Sequence, residues 1–233
     1  MRTIASVSVS ALALALVASV APASAEGFAG FYAGLQLGDT FGDASSSQNV
    51  SLGDPLSVSQ ADYSFGAMSG GFHVGYNHKF DNLIAGAVFD YSMLDAGDSD
   101  VESSAVDNHD HNSLTFDTIY SFRAIGGWQA LPGTLLYATA GYAWASADAS
   151  VDFTTASATS EGKGVTFAGF TYGLGTSFAM TDNTTIGFEW RHLSLDHDSV
   201  AFGLPENDYE LGFDPDLDTV EVRVSYFFAG MMN

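Results

Sequence analysis

The chain contains no cysteine. That excludes a disulfide framework, a thiolate-ligated metal and a lipid-anchored N-terminal cysteine. Positive charge is nearly as scarce: 6 Lys+Arg stand against 28 Asp+Glu, a formal net charge of -22. Nucleic acid is excluded as a partner, because phosphate binding needs clustered Lys and Arg. After residue 25 no apolar run approaches the ~18 residues of a membrane-spanning helix. If the mature chain crosses a membrane, it crosses as strands. Aromatic residues are not scarce, at 13%. An acidic disordered chain would lack them, so this one folds.

The first 25 residues have the layout of a secretory leader. Arg2 precedes the apolar run ALALALVASV (11–20), which Pro22 ends, and Ala23-Ser24-Ala25 forms an A-x-A cleavage site. The run is too short for a spanning helix. The expected organisation is a signal peptide over 1–25 and one β-domain over 26–233.

The end of the chain, TVEVRVSYFF (219–228), alternates strictly: Val220, Val222, Val224, Tyr226 and Phe228 on one face, Thr219, Glu221, Arg223 and Ser225 on the other. Period-2 alternation predicts a strand with one apolar face. Seven earlier segments alternate similarly, at about 31–41, 65–80, 83–94, 114–129, 135–146, 165–179 and 185–195. Their connections alternate too. Asp81-Asn82, Leu131-Pro132-Gly133 and Thr181-Asp182-Asn183 are tight turns, whereas 42–64, 95–113, 147–164 and 196–218 are long loops. Short turns at one end and long loops at the other describe an outer-membrane barrel.

The faces say which side is lipid. In 165–179 the set Phe170, Tyr172, Leu174, Phe178 opposes Gly169, Thr171, Gly173, Gly175, Ser177. In 114–129 the set Phe116, Tyr120, Phe122, Ala124, Trp128 opposes Asp117, Ser121, Arg123, Gln129. A soluble eight-stranded barrel fills its lumen with bulky apolar groups. Here the bulky face belongs outside, and small residues leave room inside for long polar side chains. Expected lumen acids are Asp90, Asp117, Glu189 and Glu221, and expected lumen bases are Lys79, Arg123, Arg191 and Arg223. Buried charge has to be paired, so these eight form the expected salt-bridge network, with His73 as a hydrogen-bonded lumen residue. Most of the negative charge then falls to the loops. The 12 residues from Phe116 to Trp128 span roughly 30 Å at ~3.3 Å per residue and ~40° tilt, which fits the apolar band and its aromatic girdles.

The segments TIYSFRAIGGWQALPGTLLYATAGYAWAS (118–146), GFTYGLGTSFAMTDNTTIGFEWRHLSL (169–195) and TVEVRVSYFF resemble strands four to eight of the bacterial outer-membrane β-barrel family, the opacity-type and OmpA-like small barrels. The resemblance runs from about residue 27. It implies an all-β, eight-stranded antiparallel up-and-down transmembrane barrel in the cell outer membrane of a Gram-negative bacterium. It also implies no enzymatic activity, no cofactor, and contact with outer-membrane lipid and lipopolysaccharide. The last strand, through Val220, Val222, Val224, Tyr226 and Phe228, would be read by the barrel-assembly machinery. Much of the family ends on that Phe; here Ala229–Asn233 follow.

Two sets of residues carry candidate chemistry. His192-Leu193-Ser194 is similar to the active-site pattern of outer-membrane lipid A 3-O-deacylases, which implies Ser194 as nucleophile, His192 as base and Glu206 as the orienting acid. Those enzymes carry Asn after the Ser where this chain has Leu195, and interfacial residues beside Trp190 are the plainer account. DNHDH (107–111), LDHDS (195–199) and Asp214-x-Asp216-x-Asp218 offer carboxylate and imidazole to a divalent cation. They lack the Gly and closing Glu of an EF-hand loop, and solvated acidic loops are the plainer account. Eight strands enclose a lumen only wide enough to be filled by side chains. The expectation is therefore a structural and surface-interaction barrel, with the deacylase and a narrow small-solute channel as alternatives.

Overall fold

The computed structural model describes residues 28–52, 54–56, 60–95, 101–102, 111–152, 160–196, 198–203 and 208–228. The predicted leader lies outside them. Eight long strands carry the fold: β1 (Gly30–Leu52), β3 (Gln60–Phe80), β4 (Leu83–Asp95), β6 (His111–Leu131), β7 (Thr134–Asp152), β8 (Ser160–Ala179), β9 (Thr184–Leu195) and β11 (Asp208–Phe227). Short β2 (Asp54–Leu56), β5 (Val101–Glu102) and β10 (Asp198–Gly203) pair with β1, β6 and β11. Each long strand is antiparallel to the next in sequence, and β1 pairs with β11 from Tyr32↔Phe227 to Val50↔Tyr209. That last pairing closes the sheet, so no backbone edge faces lipid, as a membrane-spanning sheet requires.

The turns lie where turn chemistry places them. Asp81 takes a left-handed conformation (φ 54°), which Asp tolerates, and Gly133 takes another (φ 76°). Thr181 Oγ1 accepts from the Asn183 and Thr184 amides at 3.3 and 3.0 Å. Neighbouring turns are tied together: the Gln129 amide donates to Asn82 O at 2.8 Å and the Phe227 amide to Asn183 O at 2.7 Å. Phe28 and Phe228 lie at this same end.

The alternation has the inside-out sense. Val220, Val224, Tyr226 and Phe228 are exposed, while Thr219, Glu221, Arg223 and Ser225 are buried. Leu35 (70%), Phe170 (71%) and Leu174 (60%) are among the most exposed side chains, whereas Arg123 is at 0%. Such an exterior is stable only against hydrocarbon. Along β11 the outward face is apolar from Phe228 up to Asp218, ten residues or about 25 Å at ~40° tilt, the height of the apolar band.

Two expectations are corrected. A β-bulge lies between Phe116 and Thr118 in the β6–β7 register. The extra residue, Asp117, is exposed, and Phe116 turns inward to lie 6.0 Å, ring to ring, from Phe167. One inserted residue reverses the parity on its far side, so Asp117 leaves the lumen and Phe116 leaves the lipid girdle. The outer girdle is instead built from Tyr120 stacked on Trp144 at 5.3 Å and from Tyr142, Phe170, Tyr172 and Trp190. Second, much of the four expected loops is strand: β1 runs on to Leu52, β7 to Asp152, and β11 begins at Asp208. Hydropathy alternation reports contact with lipid and not backbone pairing, so the pairing continues where the alternation stops.

Glycine tracks the two sides of the wall. At lumen-facing Gly141 an added Cβ would lie 2.1 Å from Phe122 O and 2.6 Å from Arg123 Cα, whereas at outward Gly126 it would meet nothing within 4 Å. Gly141→Val is expected to lower the folded fraction severely and Gly126→Val hardly at all. The heat-dependent gel shift of the refolded barrel measures this; equal behaviour of the two variants would contradict the packing described.

Candidate functional site

The centre of the lumen is a buried charge cluster. Arg123, from β6, holds Asp90 of β4 through Nη2 at 2.7 Å, pairs with Glu189 of β9 through Nη1, and donates to Thr139 Oγ1 at 2.7 Å. Arg223, from β11, reaches Asp90 at 2.8 Å, Glu221 at 2.9 Å and Glu189 at 3.2 Å. Tyr137 donates to Glu189 Oε2 at 2.8 Å. Arg191 makes only a 3.9 Å contact to Glu221, and its Nε and Nη1 have no partner among the described residues. Three carboxylates thus meet three guanidiniums. His73 bridges Gln36 (3.1 Å) and Ser225 (2.8 Å), and Gln36 donates to Ser92 at 2.8 Å. Of the eight residues expected in the network, Asp90, Arg123, Glu189, Arg191, Glu221 and Arg223 come together. Lys79 is half-buried near the β3–β4 turn, and Asp117 is outside.

Apolar layers close the cluster off on both sides, which the face sorting did not foresee. Toward the short turns Phe28, Ile84, Leu135 and Ala179 pack together, beside Tyr32, Val88 and Phe227. Toward the other end Phe116, Ile119, Phe167, Leu193, Leu195 and Leu217 are all buried. Leu193 and Leu195 could have been placed by carrying the parity of Glu189 and Arg191 two steps on. A cavity of about 40 Å³ remains between Phe28, Asn77, Glu189 and Arg223, enough for a few waters.

A second cluster faces outward near the rim. His192 and Ser194 share the outward face of β9; His192 is part-buried and Ser194 exposed. Across the register His192 faces Asp218 and Ser194 faces Asp216. His192 Nδ1 lies 3.1 Å from Asp218 Oδ1, and Trp190 Nε1 donates to the same oxygen at 3.1 Å. A carboxylate can only accept, so it is Nδ1–H that donates to Asp218. Nε2 lies 3.9 Å from Asp216 Oδ1. Glu206, the expected acid, lies outside the described residues; the carboxylate hydrogen-bonded to His192 is that of Asp218. Among the described residues no group of three or more His, Asp or Glu is arranged to hold a metal ion; Asp107–Asp110 and His197 lie outside them.

The sequence family described as the outer membrane protein beta-barrel domain matches residues 10–228. OprG of Pseudomonas aeruginosa is similar in structure with a TM-score of 0.53 at 12% identity, covering 86% of this chain and 97% of that one. The outer membrane protease OmpT of Escherichia coli gives a TM-score of 0.51 at 10% identity, covering 90% and 98%. Neisserial surface protein A gives 0.43 at 16% identity, covering 86% and 98%. No curated protein matches in sequence. At these identities the likeness is one of fold.

The three arginines are not equivalent. Removing one partner of a buried ion pair costs ~3–5 kcal/mol, because the other charge is left uncompensated. Arg123→Met is expected to lower the unfolding free energy by that order, measured by denaturant titration in vesicles. Arg191→Met, which forfeits a single long contact while Arg223 still holds Glu221 at 2.9 Å, is expected to cost clearly less. The reverse ranking would contradict the geometry.

Proposed function

The chain belongs to the outer membrane protein β-barrel family, and on that premise we propose that it is a closed, non-catalytic barrel that supports the integrity of the outer membrane and presents an acidic surface. The observation that carries this reading is the filled lumen, with apolar layers on both sides of a neutral six-charge cluster. A wall held this way offers no continuous water path, which counts against a small-solute channel. What remains available for contact is the outer face and its extensions. Most of the 28 acidic residues lie between the spanning segments, in 42–64, 95–113, 147–164 and 196–218. Cationic groups, and divalent cations bridging to lipopolysaccharide phosphates, are the partners such a surface attracts. Val220, Val222, Val224, Tyr226 and Phe228 form the outward face of the last strand, the pattern offered to the assembly machinery. In a planar bilayer the purified barrel is expected to produce no conductance steps; reproducible steps would sink the closed-wall reading.

One observation favours a second reading, a lipid A deacylase. Asp218 orients His192 through Nδ1, and Ser194 follows two residues on along the same lipid-facing strand face. Such an arrangement would let Nε2 take a proton from a serine brought within reach. Expression in a Gram-negative host, followed by mass spectrometry of lipid A, separates the two. The structural reading predicts an unchanged spectrum, and loss of one acyl chain that His192→Ala abolishes would establish the enzyme.

A further inference from the structure

The outward wall is not uniformly covered by large side chains. Across β4, β6 and β7 the register sets Ala85 beside Gly126 and Gly126 beside Ala138, and likewise Ala87 beside Ala124 and Ala124 beside Ala140. One step toward the short turns the same strands carry Leu83, Trp128 and Leu136, exposed by 58%, 53% and 46%. Phe80 and Leu174 close the flanks. Small residues behind a palisade of large ones leave a shallow groove on the outer surface, wide open to its surroundings and about 760 Å³ in volume. Its floor is open: a Cβ at Gly126 would meet nothing within 4 Å.

We propose that this groove seats one acyl chain of a phospholipid from the periplasmic leaflet. Three observations select that occupant. The groove lies beside the turns at Asp81–Asn82 and Leu131–Gly133, the periplasmic end of a barrel of this family. Its lining carries no charged side chain, so hydrocarbon, not a polar ligand, satisfies it. About a dozen residues line it, well short of the roughly 20–30 a side of a stable subunit interface. At its turn-side edge stands Trp128, whose indole N–H suits the interface where Trp is enriched, and exposed His78 lies opposite Ala85 in the register, 4.5 Å from the Phe80 ring. A chain lying there fills space that a mobile annular lipid would leave loosely packed, and its gain is dispersion contact.

Trp128 reports directly on the groove. With Trp144 and Trp190 replaced by Phe, it is the sole tryptophan, since the chain has 3 Trp. The barrel is refolded into phosphatidylethanolamine–phosphatidylglycerol vesicles containing a small fraction of phospholipid with dibrominated acyl chains, which quench tryptophan on contact. The expected result is quenching roughly threefold above that for random contact at the same mole fraction, the modest preference that packing alone confers. Gly126→Phe, which fills the groove from outside, is expected to abolish the excess while keeping the heat-dependent gel shift. Ala138→Leu serves if that variant fails to fold. Quenching at the random level in the parent barrel would overturn the proposal. So would quenching below it in a barrel that sediments as a dimer and becomes monomeric on Gly126→Phe, because the occupant would then be a second copy.

Discussion

The interaction on which the interior depends is the hold of Arg123 on Asp90 and Glu189, carboxylates that arrive from strands on either side of the lumen. A guanidinium removed from water is tolerable only when paired and hydrogen-bonded, and this requirement shapes its surroundings. Thr139 takes a donor on β7, Arg223 shares both carboxylates from β11, and Tyr137 closes the last side of Glu189. Five of the eight long strands therefore meet at one cluster. The lumen-facing glycines are part of the same solution, since a side chain at Gly141 would collide with Arg123 itself.

Much of this was legible in the sequence. Strict alternation in TVEVRVSYFF shows two faces, and the scarcity of Lys and Arg makes their placement informative: nearly every base sits on a face otherwise made of Gly, Ser and Thr. Three features were not legible. The bulge at Asp117 leaves no mark, because FDTIYSF alternates well enough in either parity. The continuation of β1 to Leu52 and of β7 to Asp152 is invisible to hydropathy, which reports contact with lipid and not pairing of backbone. The apolar seals were hidden where neighbouring residues are both apolar. Leu135 faces in and Leu136 out, and nothing in the pair itself says which. His192 and Ser194 were placed by parity, but the carboxylate beside His192 was not, since Asp218 is adjacent only through the β9–β11 register.

The filled lumen leaves the outward face as the surface available for contact. The outward face divides into an apolar band, an aromatic girdle around Tyr142, Tyr172 and Trp190, and an acidic region beyond it. Asp216 and Asp218 stand at that boundary, where a carboxylate can still reach water. Contacts made there vary without disturbing the charge cluster, which is how one barrel architecture carries many unrelated functions.

The absence of cysteine makes the central claim directly measurable. Single cysteines introduced at residues 219–226, spin-labelled and reconstituted in vesicles, report collision with oxygen, which partitions into lipid, and with a water-soluble nickel chelate. The account predicts high oxygen accessibility at 220, 222, 224 and 226, and protection from both reagents at 219, 221, 223 and 225. Nickel accessibility at the odd positions would reveal a water-filled lumen, and reversed parity would place the charges outside; either result would contradict the closed, inside-out barrel.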